Sequence, residues 1–267
     1  MTRPAHRPPR VVRQPGDATA LGTVLGLWAH PDDETFLSSG LMALARRAGN
    51  QVVCVAATRG EHGTDDPGRW PPSRLARTRD LEVRAAMAIL GVDDHRCLGF
   101  EDGTLADLPA ERGAAVVGEV IGEVDPDTIV TFGPDGMTGH ADHCTVAAWV
   151  ETAWRQRGAR ARLLRATTTD RFAREFTDLH ATLPVFGPGL PLRTRDADLA
   201  LTVPLDDELQ DVKLGALRAQ ATQTAPLVAA MGEERFRAWF REETFTAAVP
   251  DPEDAARHGR VSTFSMT

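Results

Sequence analysis

The sequence predicts an α/β fold: a Rossmann-like, mostly parallel sheet with helices on both faces. Three observations predict it. Short apolar, β-branched runs alternate with helical-period segments through residue 170. No hairpin signal joins consecutive strands, so the connections are crossovers. Turns rich in His and Asp follow two of the runs, at 30–34 and 139–143, and such turns converge on one crevice at the carboxyl ends of an open parallel sheet.

The first strand is Val24 to Ala29. A helix follows from about Thr35 to Arg47, with Ala48-Gly49-Asn50 as its stop. The second strand, Gln51 to Ala57, ends in Thr58-Arg59-Gly60-Glu61-His62-Gly63, and a polar, Pro-rich loop runs from Thr64 to Ser73. Leu75, Ala86, Ile89 and Leu90 lie near helical spacing in a segment closed by Gly91. A short strand around His95 to Gly99 leads to Phe100-Glu101-Asp102-Gly103. A third helix spans Ala110 to Glu123, and the strand Thr128 to Phe132 runs into Gly133-Pro134-Asp135-Gly136. The helix bearing His143 extends to about Arg157, before a fifth strand at Arg162 to Thr168.

Beyond Asp170 the pattern is less regular, with a strand near Leu199 to Val203 and a helix from Asp206 to Thr222. The sequence thus divides into flexible tails at 1–20 and 250–267 and one domain at 21–249. The core of that domain is 21–170, and its C-terminal part, 171–249, closes over the crevice and shapes substrate choice.

Composition narrows the function. A hydrophobic share of 42% supports a packed core. The net charge of -8 argues against nucleic acid or an anionic membrane as partner. No apolar stretch approaches the roughly 18 to 20 residues of a membrane span, and the Pro- and Arg-rich start lacks the apolar middle of a signal peptide. Cys54, Cys97 and Cys144 are odd in number and far apart, which reads as reduced thiols in a cytoplasmic protein. The partner expected is therefore a small molecule. Self-association is compatible with the sequence but not specified by it.

A dinucleotide cofactor is excluded on local grounds. Its pyrophosphate needs glycines after the first strand, whereas this turn reads His30-Pro31-Asp32-Asp33-Glu34, three negative charges with no glycine. Taken alone, His-Pro-Asp is an ordinary turn, and acidic residues complement a helix N-terminus. A second such turn, Gly139-His140-Ala141-Asp142-His143, at an equivalent junction points instead to one mononuclear metal site.

These two motifs resemble the LmbE-like, or PIG-L, family of zinc-dependent de-N-acetylases. Thr58-x-Gly60-Glu61-x-Gly63, Arg79-x-x-Glu82 and Leu98-Gly99-Phe100-Glu101-Asp102-Gly103 are similar to further family motifs, and Lys213-x-x-Ala216 through Thr222-Gln223 is a weaker echo. The resemblance covers residues 22 to 150 well. It implies hydrolysis of the acetyl amide of an N-acetylglucosamine-type sugar or glycoconjugate. The alternatives are an amidase of mycothiol-type S-conjugates and a catalytically quiet sugar-binding module.

It also implies one zinc per chain, with His30, Asp33 and His143 as ligands and Asp32 as general base. His140, as imidazolium, would stabilise the oxyanion, with Asp142 orienting it. Arg79 and Asp102 would bind substrate. Glu34 is expected to support the site without ligating, and His62 is equally a crevice or a surface residue. Some bacterial relatives carry a tyrosine where Thr138 stands, and this chain has no tyrosine at all. The late motif reads Gln220-Ala221-Thr222-Gln223, where relatives often have His followed by Ser-Gln.

Overall fold

Eight strands form one sheet in a computed structural model that describes residues 10–183 and 185–250. In chain order they are β1 (Arg10–Val11), β2 (Val24–Trp28), β3 (Val52–Ala56), β4 (Asp94–Cys97), β5 (Thr128–Phe132), β6 (Arg162–Thr167), β7 (Leu201–Pro204) and β8 (Glu242–Ala247). The sheet order is β1-β7-β8-β6-β5-β2-β3-β4. Every pairing is parallel except those of β8, which runs antiparallel to both β6 and β7. β2, β3 and β5 are buried along their whole length, as strands covered on both faces must be.

The helices are α1 (Pro15–Ala18), α2 (Asp33–Arg47), α3 (Pro72–Leu90), α4 (Ala110–Val124), α5 (Ala141–Gln156), α6 (Asp170–Glu175), α7 (Thr177–Thr182), α8 (Asp207–Ala219), α9 (Ala221–Met231) and α10 (Glu233–Trp239). Two groups cover the sheet: α2, α3 and α8 pack together, and α4 packs on α5. The second contact is close because position 113 is glycine. A Cβ there would stand 2.0 Å from the Trp149 ring.

The expected parallel α/β architecture is present, and no helix among the described residues is long and apolar enough to cross a membrane. Two expectations need correction. Residues 10–20 are not a loose tail. β1 pairs with β7, and Val12 and Ala18 are fully buried in the core. A two-residue edge strand carries no periodicity, so its sequence shows only Val11 and Val12 between polar neighbours. Residues 1–9 and 251–267, the remainder of the expected tails, lie outside the described residues. The C-terminal part, in turn, is more than a cover for the crevice. Its β7 and β8 extend the sheet, and the helix expected at 206–222 ends at Ala219 and restarts as α9.

Sheet order fixes where the site must be. From β2 the chain winds outward through β3 and β4, then returns to place β5 on the other side of β2. The carboxyl ends of β2 and β5 therefore flank the topological switch point, where open α/β sheets form their binding crevice. Both His- and Asp-rich turns leave from those two ends.

One buried ion pair ties the added strand to the core. Lys213 on α8 lies 2.7 Å from Glu243 on β8, and both side chains are 1% exposed. The Glu243 carboxylate also accepts from the Gly40 and Leu41 backbone N–H groups of α2, at 2.8 and 2.9 Å. Lys213 donates to the Phe36 carbonyl at 2.7 Å. Removing one partner of such a pair leaves the other charge buried without compensation. Lys213→Met should therefore lower the unfolding free energy by about 3–5 kcal/mol in denaturant titrations. Adding Glu243→Gln should recover part of that loss, because the stranded charge is gone.

Candidate metal centre

The turn after β2 is strained and acidic. Asp32 has φ 118°, a conformation that costs a non-glycine residue roughly 1–3 kcal/mol and persists only where its surroundings enforce it. They do so here through four contacts. The Asp32 N–H donates to Glu34 Oε2 at 3.0 Å, and Arg79 Nη2 lies 3.3 Å from Asp32 Oδ1. Arg79 also donates to the Pro31 and Gly60 carbonyls. The strain turns the three acidic side chains inward at the start of α2, where the helix N-terminus favours negative charge.

Two ring nitrogens and the two oxygens of one carboxylate come together from the two turns. His30 Nδ1 is 3.1 Å from His143 Nε2, which is 3.3 Å from Asp33 Oδ1, and Asp33 Oδ2 is 3.6 Å from His30 Nδ1. Ligands held at zinc–nitrogen distances in a tetrahedron stand about 3.3 Å apart. The outer ring nitrogens are occupied as metal-binding imidazoles require. His143 Nδ1 lies 2.9 Å from the Gly136 carbonyl, and His30 Nε2 is 2.9 Å from Asp102 Oδ1 and 3.3 Å from Asp142 Oδ2. Those partners turn both inner nitrogens toward the same point beside a carboxylate, where a metal ion or one shared proton can sit between them. The Gly136 position is itself constrained: its φ is +64°, and a Cβ would stand 2.8 Å from that of His143.

The surrounding carboxylates favour positive charge at His30, held as a proton that a bound metal ion replaces. Burial works against ionisation of His30, yet hydrogen bonds to Asp102 and Asp142 and the field of Asp33 push it up to about 10. Burial pushes the Asp32 carboxyl up to about 8; Arg79 opposes that and Asp33 and Glu34 add to it. Burial also holds His143 below the ordinary imidazole range, which favours the neutral form that ligates a metal. For Asp102, the His30 contacts and the His62 N–H outweigh burial and bring it down to about 2. Burial raises the Glu34 carboxyl, although hydrogen bonds from the Asp32 N–H, Gln220 and Thr35 offset part of the effect.

Two other donor groupings surround His30. His140 brings a ring nitrogen within 4.8 Å of those of His30 and His143, and Asp102 and Asp142 crowd the far side of the His30 ring. The second grouping is the weaker metal site. The Asp142 carboxylate already accepts the Gly103 and Leu105 N–H groups at 2.8 and 3.1 Å.

Several site residues stand differently from expectation. Asp142 does not orient His140 with its carboxylate, which is turned toward His30; instead its backbone N–H donates to His140 Nδ1 at 3.2 Å, capping α5. His140 Nδ1 is thus the acceptor of a backbone N–H rather than the partner of a carboxylate. Arg79 and Asp102 are not open to a substrate. They are 4% and 6% exposed and are engaged by Asp32 and His30 respectively. Glu82, one helical turn from Arg79, accepts the Thr222 N–H and hydroxyl at 2.9 and 2.6 Å. Glu34 supports the turn as expected, and the His62 side chain is 49% exposed. Thr138 Oγ1 lies 3.3 Å from His143 Nδ1.

Sequence reasoning did not single out Gln220, whose amide donates to Glu34 at 2.7 Å. The departure of the late motif at that position was the available signal.

A family model described as GlcNAc-PI de-N-acetylase, PIG-L, matches residues 25–154. A 1D-myo-inositol 2-acetamido-2-deoxy-alpha-D-glucopyranoside deacetylase of Kineococcus radiotolerans is 34% identical over 250 residues, covering 75% of this chain and 68% of that protein. A probable N-acetyl-alpha-D-glucosaminyl L-malate deacetylase 2 of Bacillus subtilis is 32% identical over 234 residues, covering 83% and 95% respectively. Among solved structures, a deacetylase of the teicoplanin biosynthesis pathway superposes with a TM-score of 0.66 at 17% identity, covering 86% of this chain and 99% of that one. The chain belongs to the PIG-L family.

The outer carboxylate of His30 gives a test independent of turnover. Asp102→Asn should weaken zinc affinity about 10- to 100-fold in competition with a chromophoric chelator. His143→Ala should abolish stoichiometric binding in the same titration.

Proposed function

Starting from that family membership, we propose that this protein is a zinc-dependent hydrolase that removes the acetyl group from the amine of an N-acetylglucosamine-type small molecule. The observation that carries the reading is the convergence of His30 Nδ1, His143 Nε2 and the Asp33 carboxylate within 3.1–3.6 Å. The donor set fits zinc, since two imidazoles and one carboxylate are the ligands of catalytic zinc sites that keep an open position. His30, Asp33 and His143 hold the ion, and when bound it supplies Lewis acidity for water activation and carbonyl polarisation.

The chain's own groups do the rest. Asp32 is positioned by Arg79 and is only partly covered, with 14% of its side chain exposed. It accepts the proton of the attacking water as the oxygen–carbon bond forms. It then returns that proton to the nitrogen as the carbon–nitrogen bond breaks, releasing acetate and free amine. A carboxyl group held beside the reacting atoms by Arg79 serves both directions. His140, exposed at the mouth of the site, donates from Nε2 to the oxygen that gains charge in the tetrahedral intermediate. The Asp142 N–H at its other nitrogen fixes the tautomer needed.

The three cysteines are free thiols, the state kept in a reducing compartment, and we place the enzyme in the cytoplasm. The domain we assign to this activity is 10–249, the expected 21–249 extended by β1 and the segment that follows it, with its specificity in 171–249.

Zinc-loaded protein should release amine from at least one member of a panel of N-acetylglucosaminides that includes inositol- and malate-linked sugars. Asp32→Asn should lower kcat about 10²- to 10⁴-fold with one zinc still bound per chain. Undiminished turnover in that variant would remove Asp32 from the mechanism.

A further inference from the structure

An apolar cavity of about 150 Å³ lies beside the candidate metal centre. Its walls include Phe36 and Leu37 of α2, Met137 of the turn after β5, Phe186, Leu227 of α9 and Trp239 of α10. Two links join it to the site. Phe36 and Leu37 follow Asp33 by three and four residues on one helix, so they share its face. Met137 sits between Gly136, whose carbonyl holds His143 Nδ1 at 2.9 Å, and Thr138, whose hydroxyl is 3.3 Å from the same nitrogen.

The polar residues in the wall are already satisfied by protein partners. Thr167 Oγ1 pairs with Thr194 Oγ1 at 2.7 Å, Thr168 donates to the Leu192 carbonyl at 2.7 Å, and Thr244 donates to the Thr167 carbonyl at 2.6 Å. Thr169 Oγ1 accepts the Phe172 N–H, while Glu242 and Glu243 are paired with Arg171 and Lys213. The exception is Trp239 Nε1, which is buried without an acceptor. A lining of this kind repels a sugar's hydroxyl groups and suits hydrocarbon carrying at most one acceptor. A cavity of about 150 Å³ lined by apolar side chains holds a benzene-sized guest.

We propose that this cavity is a substrate subsite for an apolar group of benzene size, aryl or short alkyl, attached close to the amide that is cut. The proposal rests on the deacetylase reading for the identity of that amide. The apolar group can belong to the acyl side or to the aglycone, and the two arms of the test separate them.

Two substrate series are compared with the zinc-loaded full chain. In one, the acyl group of a methyl glucosaminide grows from acetyl to hexanoyl and benzoyl. In the other, the aglycone of an N-acetylglucosaminide grows from methyl to hexyl and phenyl. Affinity for both series is measured by calorimetry beside kcat/KM.

One series should gain about fourfold per methylene up to about six carbons and then level off, and the series that does so names the side. Leu227→Trp, which fills the cavity, should flatten that series while leaving the methyl N-acetyl compound unaffected. Phe186→Ala, which enlarges it, should move the optimum to longer chains. Flat responses in both series, by rate and by affinity, would overturn the proposal. If no amide is cut at all, the deacetylase reading fails. Chain-length-dependent affinity that Leu227→Trp removes would still support the subsite.

Discussion

Burying three consecutive carboxylates at the start of one helix is the constraint around which this structure is arranged. Asp33 and Glu34 are 7% and 0% exposed, and no helix N-terminus compensates three such charges alone. Each is met by a different part of the chain. Asp33 faces two imidazoles, one of them delivered by α5 from the other side of the switch point. Asp32 is met by Arg79 from α3, and Glu34 by Gln220 from the junction of α8 and α9. The acidic triplet thus dictates what must pack around it. Those contacts bring together the helices that follow β3, β5 and β7. Asp102 and Asp142 add two more carboxylates around His30, and among the described residues Arg79 is the one guanidinium paired with this cluster. A divalent cation is the natural complement to the surplus.

How much of this was legible in the sequence follows from how local each signal is. β2, β3 and β5 are uninterrupted apolar runs ended by turn residues, and α3 and α4 carry their own stops, so their placement needs only neighbouring residues. His30, Asp32, Asp33, His140 and His143 announce themselves because polar residues at strand ends have few structural uses. β1 and β8 gave no such signal. β1 is two residues long. β8 begins Glu242-Glu243, and nothing nearby in sequence says that Glu243 is neutralised by Lys213, 30 residues away. The protein partners of Arg79, Asp102 and Asp142 were hidden for the same reason. Sequence shows that a charged side chain lies near a site, but whether it faces substrate or braces a neighbour depends on tertiary distances. The choice of His140 tautomer is finer still, since it turns on one backbone N–H at 3.2 Å.

The cooperation of the two halves of the chain centres on α2. Its first turn carries Asp33 and Glu34, its second carries Phe36 and Leu37 into the cavity wall, and its third is gripped at Gly40 and Leu41 by Glu243. Lys213 takes the Phe36 carbonyl, the group that the Gly40 N–H reaches in a regular helix. The Lys213–Glu243 pair therefore sits astride one rung of α2, and Gly40 permits it: a Cβ there would stand 2.4 Å from Leu205 Cδ2 and 3.3 Å from the carboxylate oxygens. Strand β8, helix α8 and helix α2 are locked at a point two turns from the metal ligand.

That lock bears on function because a helix transmits rotation and translation along its axis as a rigid element. Asp33 must meet His30 and His143 within a few tenths of an ångström for three donors to share one ion. Its own backbone is held on one side by the strained Asp32 turn. The C-terminal part supplies the restraint on the other side, through a pair that is charged, hydrogen-bonded and almost completely excluded from water. A buried ion pair is weak evidence for stability, since apolar packing could replace it. It is directional, however, and apolar packing is not. Retaining it where α2 must be held in one register is consistent with positioning the carboxylate rather than with adding stability. On this account the segments least regular in sequence set the precision of the most recognisable motif.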